Sequence, residues 1–308
     1  MTFEDLHVIS MKDFSRDTID HILATAEELE PIARGKRTSD LLAGKVLAVL
    51  FFEPSTRTRM SFETAMIRLG GSVLNLGSVE ASSITKGETL ADTIRVVNGY
   101  ANAIVLRHPK EGSAKLASEF SSIPVLNAGD GAGHHPTQTL LDLYTIRRES
   151  HLDDLRIALA GDLKYGRTVH SLCYALSLYG AHITLVSPKE LRMPNDIVED
   201  LEGQGIEVKQ TDSIEDAIRD VDVLYVTRIQ KERFPDPAEY QRVANSLQIT
   251  PALLELAQPD LKIMHPLPRT SEIDPQVDMT SHACYFEQAF YGVPVRMALL
   301  ALVMGAIQ

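Results

Sequence analysis

Residues 55–59, Ser-Thr-Arg-Thr-Arg, place three hydroxyl groups and two guanidinium groups in five consecutive positions. The apolar run Val46–Phe52 directly before them is typical of a buried strand. Directly after them, apolar residues recur at helical spacing: Phe62, Ala65, Met66 and Leu69. The polar turn therefore lies at a helix N-terminus, where unpaired N–H groups and the helix dipole favour an anion. Because arginine matches the oxygens of a phosphate, the pattern predicts a phosphate-binding turn.

The same turn also has a purely structural interpretation, in which Ser55 or Thr56 caps the helix and the arginines are solvated. So many such side chains directly after a buried strand favour binding over that interpretation. The phosphate loop G-x-x-x-x-G-K-[ST] does not occur in the chain. We therefore expect a site built from side chains and helix N–H groups rather than from a glycine-rich loop.

Strands and helices alternate along almost the whole chain, and polar segments directly follow several predicted strands. The predicted strands are Val46–Phe52, Val73–Leu76, Ala103–Leu106, Pro124–Asn127, Arg156–Ala160, His182–Val186, Ile206–Lys209, Val223–Thr227 and Lys262–Met264. The polar segments are 55–59, 107–109, 161–167, 227–228 and 265–266. Strands separated by helices form parallel sheets, and ligands bind outside the carboxyl ends of such strands. We therefore expect an α/β fold in which these segments form one composite site.

The length of 308 residues predicts two domains of ordinary size. The boundary should lie near a predicted helix at 137–148, where no proline- or glycine-rich linker occurs. We therefore expect two doubly wound parallel-sheet domains joined by helices. The first is assigned to 1–134 together with a C-terminal helix at 291–308, and the second to 135–290.

The chain is acidic, with 30 lysines and arginines against 42 aspartates and glutamates and a formal net charge of −12. This balance argues against nucleic acid as a general partner. It also makes the local clusters of arginine more informative. We expect these clusters to bind an anionic small molecule.

Membrane and metal functions find little support in the sequence. The mixed N-terminal residues 1–13 do not resemble a signal peptide, and no apolar run approaches the length of a membrane span. Cys173 and Cys284 show no metal-ligand spacing, and the adjacent His134 and His135 lack further ligands at a suitable distance along the chain. We therefore expect a cytoplasmic protein without a metal site.

The segment F-x-x-x-S-T-R-T-R-x-S-F-E at 51–63 resembles the carbamoyl-phosphate signature of the aspartate and ornithine carbamoyltransferase family. Further segments match this family in the same order: the loop 81–88, Arg107-His108-Pro109, H-P-T-Q at 135–138, the loop 160–168, 227–230 and H-P-L-P-R at 265–269. The resemblance covers nearly the whole chain. It implies an enzyme that transfers a carbamoyl group without a cofactor, with carbamoyl phosphate bound by the first domain and the acceptor by the second.

The resemblance also implies roles for individual residues. Carbamoyl phosphate would be bound by Ser55, Thr56, Arg57, Thr58, Ser82, Arg107, His135, Gln138, Leu267 and Pro268. The catalytic residues would be Arg57, Thr58, Lys86, Arg107 and His135. The acceptor would be bound by Lys86, Arg167, Thr168, Arg228, Gln230 and Leu267. The choice of Ser82 over Ser83 depends on its spacing from Lys86 and stays open.

Within this family the acceptor follows from charge. Ornithine enzymes typically carry H-C-L-P late in the chain and a Ser-Met-Gly-rich pocket for a cation, whereas this chain has H-P-L-P-R and no Ser-Met-Gly. Arg167, Arg228 and Lys86 suit two carboxylates and would repel a cationic side chain. We therefore expect transfer to the amine of L-aspartate, giving N-carbamoyl-L-aspartate and phosphate in de novo pyrimidine biosynthesis.

The expected partners are the two substrates and further copies of the chain. In the family, a loop equivalent to 82–86 reaches into the site of a neighbouring subunit, which implies a homotrimer with shared active sites. A separate zinc-binding regulatory chain stays open as a further partner. Neither nucleic acid nor a membrane is expected as a partner.

Three other functions compete with this interpretation. A related carbamoyltransferase could use ornithine or another amine as the acceptor. A non-catalytic anion-binding protein could keep the fold, but it would need a broken site, and every matched position is filled. A nucleotide-dependent dehydrogenase is disfavoured because Gly161 and Gly166 do not have the G-x-G-x-x-G spacing.

Overall fold

A computed structural model describes residues 3–77, 83–131, 133–229, 243 and 247–308. Contacts between residues divide the chain into two compact units. The first unit comprises Met1–Leu141 and Phe290–Gln308, and the second comprises Asp142–Ala289. The sequence-based assignment placed these divisions after residue 134 and before residue 291.

The first unit contains a parallel sheet of four strands in the order β2-β1-β3-β4. The strands are β1 (Val46–Phe51), β2 (Ser72–Asn75), β3 (Ala103–His108) and β4 (Val125–Asp130). The helices are α1 (Arg16–Ala33), α2 (Thr56–Arg68), α3 (Leu90–Val97) and α4 (Ser113–Phe120), with 3₁₀ turns at Met11–Asp13 and Ser83–Lys86. The middle strands carry continuous apolar runs because both faces of a parallel sheet are covered.

The core of the first unit lies between this sheet and its helices. Leu50 of β1 and Ile104 of β3 pack with Ile94 of α3 and Ala117 of α4 in one buried cluster. The register pairs Phe51 with Arg107, so the end of β3 lies beside the turn that follows β1. The predicted phosphate-binding turn and the predicted Arg107 are therefore neighbours at one edge of this sheet.

The second unit contains a parallel sheet of five strands in the order β7-β6-β5-β8-β9. The strands are β5 (Arg156–Ala160), β6 (His182–Val186), β7 (Val208–Thr211), β8 (Val223–Val226) and β9 (Lys262–Met264). The helices are α6 (Arg167–Ser177), α7 (Asn195–Gly203), α8 (Ile214–Ala217) and α9 (Pro251–Leu254), with 3₁₀ turns at Lys189–Leu191 and Pro275–Met279. The predicted fold of two doubly wound parallel sheets is thereby confirmed.

Two longer helices belong to both units in sequence. Helix α5 (Pro136–Glu149) contains the division at residue 141, and helix α10 (Tyr285–Val303) contains the division at residue 289. By length and composition, α10 is long and apolar enough to cross a membrane, and it is the one such helix among the described residues. The sequence analysis did not expect such a helix. Its most apolar window is 78% buried within the protein, as in the core helix of a globular domain.

A buried arginine connects α10 to two other helices of the first unit. Arg296 is 3% exposed, and its guanidinium donates to Ser61 Oγ of α2 at 2.9 Å and to Thr137 Oγ1 of α5 at 3.2 Å. The guanidinium also lies 4.9 Å from the centre of the Phe62 ring. Helix α2 begins at the predicted Thr56, and α5 begins directly after the predicted His135. Arg296 therefore helps to hold the two helix N-termini in place.

The turn after β9 is held by a buried pair of side chains. His265 Nε2 lies 2.7 Å from Glu272 Oε1, and both residues are buried. The N–H of Leu267 donates to His265 Nδ1 at 2.8 Å, so the ring proton must be on Nε2 and points to Glu272. Glu272 Oε2 accepts from the backbone N–H and the hydroxyl of Thr270. These bonds hold the ends of the turn that contains the predicted Leu267 and Pro268.

We expect Gly292→Ala to destabilise the protein by about 1–3 kcal/mol, the usual cost of overpacking. A Cβ at this position would lie 2.2 Å from Arg296 Nη1, and the guanidinium could move only by giving up its buried hydrogen bonds. Urea unfolding would measure the effect. Gly203→Ala is the matched control, because it also lies in a helix and its Cβ would meet nothing within 4 Å. Equal stability of the two variants would contradict the role given to Arg296.

Acid should weaken the turn after β9. Burial opposes ionisation of Glu272, but the hydrogen bonds from His265 and Thr270 outweigh it and lower its pKa from 4.5 to about 2. A lowered pKa stabilises the fold above pH 4.5, and this contribution is lost as the pH falls from 4.5 towards 2.

Urea unfolding at several pH values would test this expectation with Glu272→Gln. The wild-type protein should lose more stability than the variant between pH 5 and pH 2.5, since only the wild type has this carboxylate to protonate. Glu255→Gln, at an exposed position of the same unit, is the matched control and should follow the wild type. Parallel curves for Glu272→Gln and the wild type would refute the coupling.

Candidate functional site

The predicted site residues divide between the two units. The first unit contains Ser55, Thr56, Arg57, Thr58, Lys86, Arg107, His135 and Gln138. The second unit contains Arg167, Thr168, Arg228, Leu267 and Pro268. The predicted Ser82 and Gln230 lie outside the described residues.

The predicted phosphate-binding turn forms the N-terminus of α2. Ser55 is the N-cap residue of this helix, and its side chain makes no capping hydrogen bond. Thr56 and Arg57 are exposed in the first turn, whereas Thr58 is buried. Because the cap hydroxyl does not occupy the free N–H groups of the first turn, these groups can donate to an anion.

Arg107 extends from the end of β3 towards the same turn. Its Nη2 lies 2.7 Å from Glu53 Oε1, and its Nη1 donates to the carbonyl of Ala128 at 3.0 Å. Its Nε is buried and has no hydrogen-bond partner among the described residues. Burial and the proximity of Arg107 lower the pKa of Arg57, so the two guanidinium groups are near enough to repel each other. An anion bound between them would relieve this repulsion.

Glu53 is a site residue that the sequence analysis did not identify. It stands between β1 and the N-cap of α2, and its carboxylate forms the ion pair with Arg107. Burial lowers the pKa of Arg107, and the charge of Glu53 partly offsets this effect. Its position two residues before Ser55, at the carboxyl end of a strand, was the available signal. Without a ligand, Glu53 provides the negative charge that Arg107 requires.

The N-terminus of α5 supplies His135 and Gln138 to the first unit. Pro136 is the first residue of the helix, and the carbonyl of His135 accepts from the N–H of Gln138 at 2.9 Å. The preceding loop is held by Asp130, whose Oδ1 accepts from the N–H of His134 at 2.7 Å and whose Oδ2 accepts from the N–H of Gly112 at 3.0 Å. His135 is 6% exposed, so its ring is held in a largely water-free environment.

Arg59 pairs with a carboxylate of its own helix. Arg59 Nε pairs with Glu63 Oε1 at 2.8 Å one turn along α2, and both side chains line a cavity of ≈590 Å³ beside the helix. Ser55 and Thr56 line the same cavity.

Lys86 is exposed at the end of a 3₁₀ turn and forms no ion pair within the described part of the chain.

The second unit contains a small polar cavity at the carboxyl ends of its strands. The cavity has a volume of ≈100 Å³ and is lined by Asp162, Gly166, Thr168, Thr227, Arg228, His265, Pro266, Leu267 and Pro268. It brings together four of the residues predicted in this unit: Thr168, Arg228, Leu267 and Pro268. Arg167 is the first residue of α6, directly before Thr168.

Gly161 directly follows β5, at the edge of the sheet where this cavity lies. Its φ is +120°, and a Cβ there would lie 2.2 Å from the carbonyl oxygen of Thr227. The glycine therefore permits the ends of β5 and β8 to pack against each other. Thr227 Oγ1 then accepts from the N–H of Asp162 at 3.0 Å. The glycine has a packing function here, which agrees with the failed dinucleotide-binding pattern.

The turn 265–268 presents its backbone to the cavity in an unusual conformation. Leu267 has a positive φ of 52°, and the Leu267–Pro268 peptide bond is cis. Prolines on both sides of Leu267 restrict the backbone further. Within the described residues, no group of three or more His, Cys, Asp and Glu side chains could hold a metal ion. The cavity offers the guanidinium of Arg228, the carboxylate of Asp162 and the hydroxyl groups of Thr168 and Thr227 for hydrogen bonding.

Comparison with protein families assigns both halves of the chain. The carbamoyl-phosphate-binding domain of aspartate/ornithine carbamoyltransferases matches residues 6–148. The aspartate/ornithine-binding domain of the same enzymes matches residues 153–303. The two matches follow the order of the two units along the chain.

Individual relatives agree with this assignment. The chain is 80% identical over 308 residues to the aspartate carbamoyltransferase catalytic subunit of Methanococcoides burtonii, with all of both chains covered. The catalytic subunit of M. jannaschii aspartate transcarbamoylase is 57% identical, with a TM-score of 0.90 and 96% of each chain covered. The Trypanosoma cruzi aspartate transcarbamoylase in complex with carbamoyl phosphate and aspartate is 43% identical, with a TM-score of 0.92 over 98% of this chain and 97% of that one. The chain therefore belongs to the aspartate/ornithine carbamoyltransferase family.

Proposed function

We propose that this protein transfers the carbamoyl group of carbamoyl phosphate to the amine of L-aspartate, giving N-carbamoyl-L-aspartate and phosphate. In the cell this reaction would serve de novo pyrimidine biosynthesis. The observation that carries the proposal is the open N-terminus of α2, with Arg57 in its first turn and Arg107 paired in register with Phe51 just before that turn. Relatives that are 60–80% identical and are named aspartate carbamoyltransferase catalytic subunits support the choice of acceptor.

The first unit would bind carbamoyl phosphate. Arg57, Ser55, Thr56 and the free N–H groups of α2 would hold the phosphate, which suits a helix N-terminus. Thr58, Arg107 and His135 would donate to the carbamoyl oxygen, on which negative charge develops. Loss of one such donor typically raises the barrier by about 3–4 kcal/mol. Gln138 would orient the carbamoyl amino group.

The transfer requires a single displacement at the carbamoyl carbon. The lone pair of the aspartate amine forms the new C–N bond, and the bond from the carbamoyl carbon to the phosphate oxygen then breaks. The phosphate leaves with the bonding electrons and can itself accept the amine proton. The proposal therefore assigns no protein residue as nucleophile or general base, and the main contributions are positioning and charge stabilisation.

The second unit would bind aspartate. Arg228 lines the cavity, and Arg167 directly precedes the lining residue Thr168. The other lining groups are hydroxyl groups, backbone, proline rings, the ring of His265 and the carboxylate of Asp162. Two carboxylates match this charge, and Lys86 and Gln230 would contribute further contacts. The carbonyl of Leu267 would accept from the amine that attacks. This arrangement would repel the cationic side chain of ornithine.

We propose that the active form is a homotrimer in which each site borrows Lys86 and Ser82 from a neighbouring copy. The cavity of ≈590 Å³ beside α2 offers room for such a loop next to Ser55 and Thr56. Met60 and Ile67 are 60% and 63% exposed on the same helix, which suits a surface covered by another chain. The designation of the relatives as catalytic subunits supports a further subunit as a partner, and the zinc-binding regulatory chain named above stays open as that partner.

A cytoplasmic location also belongs to this proposal. Cys173 and Cys284 are free and buried, which suits a reducing compartment. Both proposed substrates are small anions, and the proposed reaction requires no membrane partner. Cell fractionation with an antibody to the protein would test the location.

The direct test offers carbamoyl phosphate with aspartate and ornithine as parallel acceptors. We expect product with aspartate alone, and product with ornithine alone would refute the proposed acceptor. Arg57→Ala should lower kcat/KM for carbamoyl phosphate by at least about 100-fold, because the phosphate loses its bidentate partner. The control Arg16→Ala removes an exposed ion pair with Asp20 and should retain the wild-type rate.

The shared site can be tested by mixing inactive variants. Lys86→Ala and Arg57→Ala chains, dissociated and reassembled together, should regain activity in roughly a quarter of their sites if each site combines residues of two copies. The matched control mixes Arg57→Ala with Arg107→Ala. Both of these residues come from one chain, so this mixture should stay inactive. Failure of the first mixture to regain activity, in reassembled trimers, would exclude the shared site.

A further inference from the structure

A series of buried hydrogen bonds runs beneath the cavity of the second unit. Thr168 lies close enough to the Tyr225 hydroxyl to lower the pKa of Tyr225, against the larger effect of burial, which raises it. The Tyr225 hydroxyl donates to Asp142 Oδ2 at 2.9 Å. Asp142 Oδ1 accepts from Gln288 Nε2 at 2.7 Å. The series therefore joins the first turn of α6 to β8, α5 and α10.

The same series continues to the turn after β9. Gln288 Oε1 accepts from the backbone N–H of His265 at 2.8 Å. The ring of His265 accepts from the N–H of Leu267 and donates to Glu272, as described above. One end of the series therefore holds Thr168, and the other end holds Leu267. Both residues line the cavity of ≈100 Å³.

The members of this series lie where apolar side chains would ordinarily pack. Tyr225 and Asp142 are 0% exposed, Gln288 is 1% exposed and His265 is 2% exposed. Buried polar groups and carboxylates cost free energy unless they are fully hydrogen-bonded, and apolar replacements of similar volume are often as stable. The retention of a polar series at this place is therefore not explained by stability alone.

The directions of the hydrogen bonds also follow from the chemistry of the groups. The backbone N–H of His265 can only donate, so the side-chain oxygen of Gln288 must face it. The side-chain amino group of Gln288 must then face Asp142. Asp142 then accepts from both Gln288 and Tyr225. A network with one permitted set of directions fixes the side chains in one arrangement, which is how buried polar networks rigidify a core.

We propose that Tyr225, Asp142, Gln288, His265 and Glu272 are positioning residues for the second substrate. They hold the Thr168 hydroxyl on one side of the cavity and the Leu267 carbonyl on the other at a fixed separation. Tyr225, Asp142, Gln288 and Glu272 do not line the cavity and act through Thr168, Leu267 and the lining residue His265. The inference rests on the proposed function, since it assigns the cavity to aspartate.

The test compares Tyr225→Phe, Glu272→Gln and the double variant with the wild type. Each single variant should raise the KM for aspartate about 5–10-fold while the KM for carbamoyl phosphate stays within about twofold, because carbamoyl phosphate is assigned chiefly to the first unit. The effect of the double variant should be smaller than the product of the single effects, since both changes loosen one network. A network that only stabilises the fold would lower the unfolding midpoint and leave both KM values unchanged.

Asp222→Asn is the matched control in the same sheet. It breaks the ion pair of Asp222 with Arg156 Nη2, 2.6 Å long, at the amino ends of β8 and β5, away from the cavity. This variant should lose stability without a change in the KM for aspartate. An equal rise in that KM for Asp222→Asn, or unchanged KM values for Tyr225→Phe and Glu272→Gln, would overturn the inference.

Equilibrium binding of succinate, a dicarboxylate without an amine, separates this inference from the proposed function. Calorimetry in the presence of carbamoyl phosphate measures the second cavity without turnover. If the wild type forms no product with aspartate, the proposed function fails, and the inference then stands only if Tyr225→Phe and Glu272→Gln bind succinate about 5–10-fold more weakly than the wild type. Equal affinities, or no binding by any of the proteins, would refute the positioning role.

Discussion

The positive charge that Arg57 and Arg107 bring to the N-terminus of α2 is the constraint that the first unit must accommodate. Two guanidinium groups near a helix N-terminus concentrate positive charge at one place, and a protein must hold them there until an anion arrives. Glu53 supplies a carboxylate to Arg107, and the parallel register of β1 and β3 brings both residues to the same edge of the sheet. Arg296 holds α2 and α5 together through hydrogen bonds to Ser61 and Thr137. The positions of these charged groups therefore depend on both the strand register and the packing of the helices.

Much of this arrangement could be predicted from the sequence, because it depends on local patterns. Each predicted strand was found, and the polar segments 55–59 and 265–266 lie at carboxyl ends of strands, as parallel topology requires. Apolar runs and helical spacing are properties of neighbouring residues, so a single sequence contains them. The family resemblance added the roles of individual residues, which patterns of polarity alone do not contain.

What the sequence did not reveal are interactions between distant residues. Asp142 and Gln288 are 146 positions apart, and the pairing of Arg107 with Glu53 depends on which strands are neighbours in the sheet. The sequence analysis considered Gly161 only for its spacing from Gly166, whereas the structure shows that a Cβ at this position would lie 2.2 Å from the carbonyl oxygen of Thr227. A buried polar residue such as Tyr225 looks like an ordinary strand residue until its partner is known. Tertiary partners of this kind are decided by topology, not by spacing.

The two proposed binding sites would bind their anions in different ways. In the first, positive charge is concentrated at an open helix N-terminus and is partly offset by the carboxylate of Glu53. In the second, a cavity of ≈100 Å³ is surrounded by a backbone turn with positive φ and by hydrogen bonds whose directions are fixed. A leaving group needs strong electrostatic stabilisation, whereas an attacking amine needs an accurate position. The contrast between the units therefore matches the different demands of the two substrates in a carbamoyl transfer.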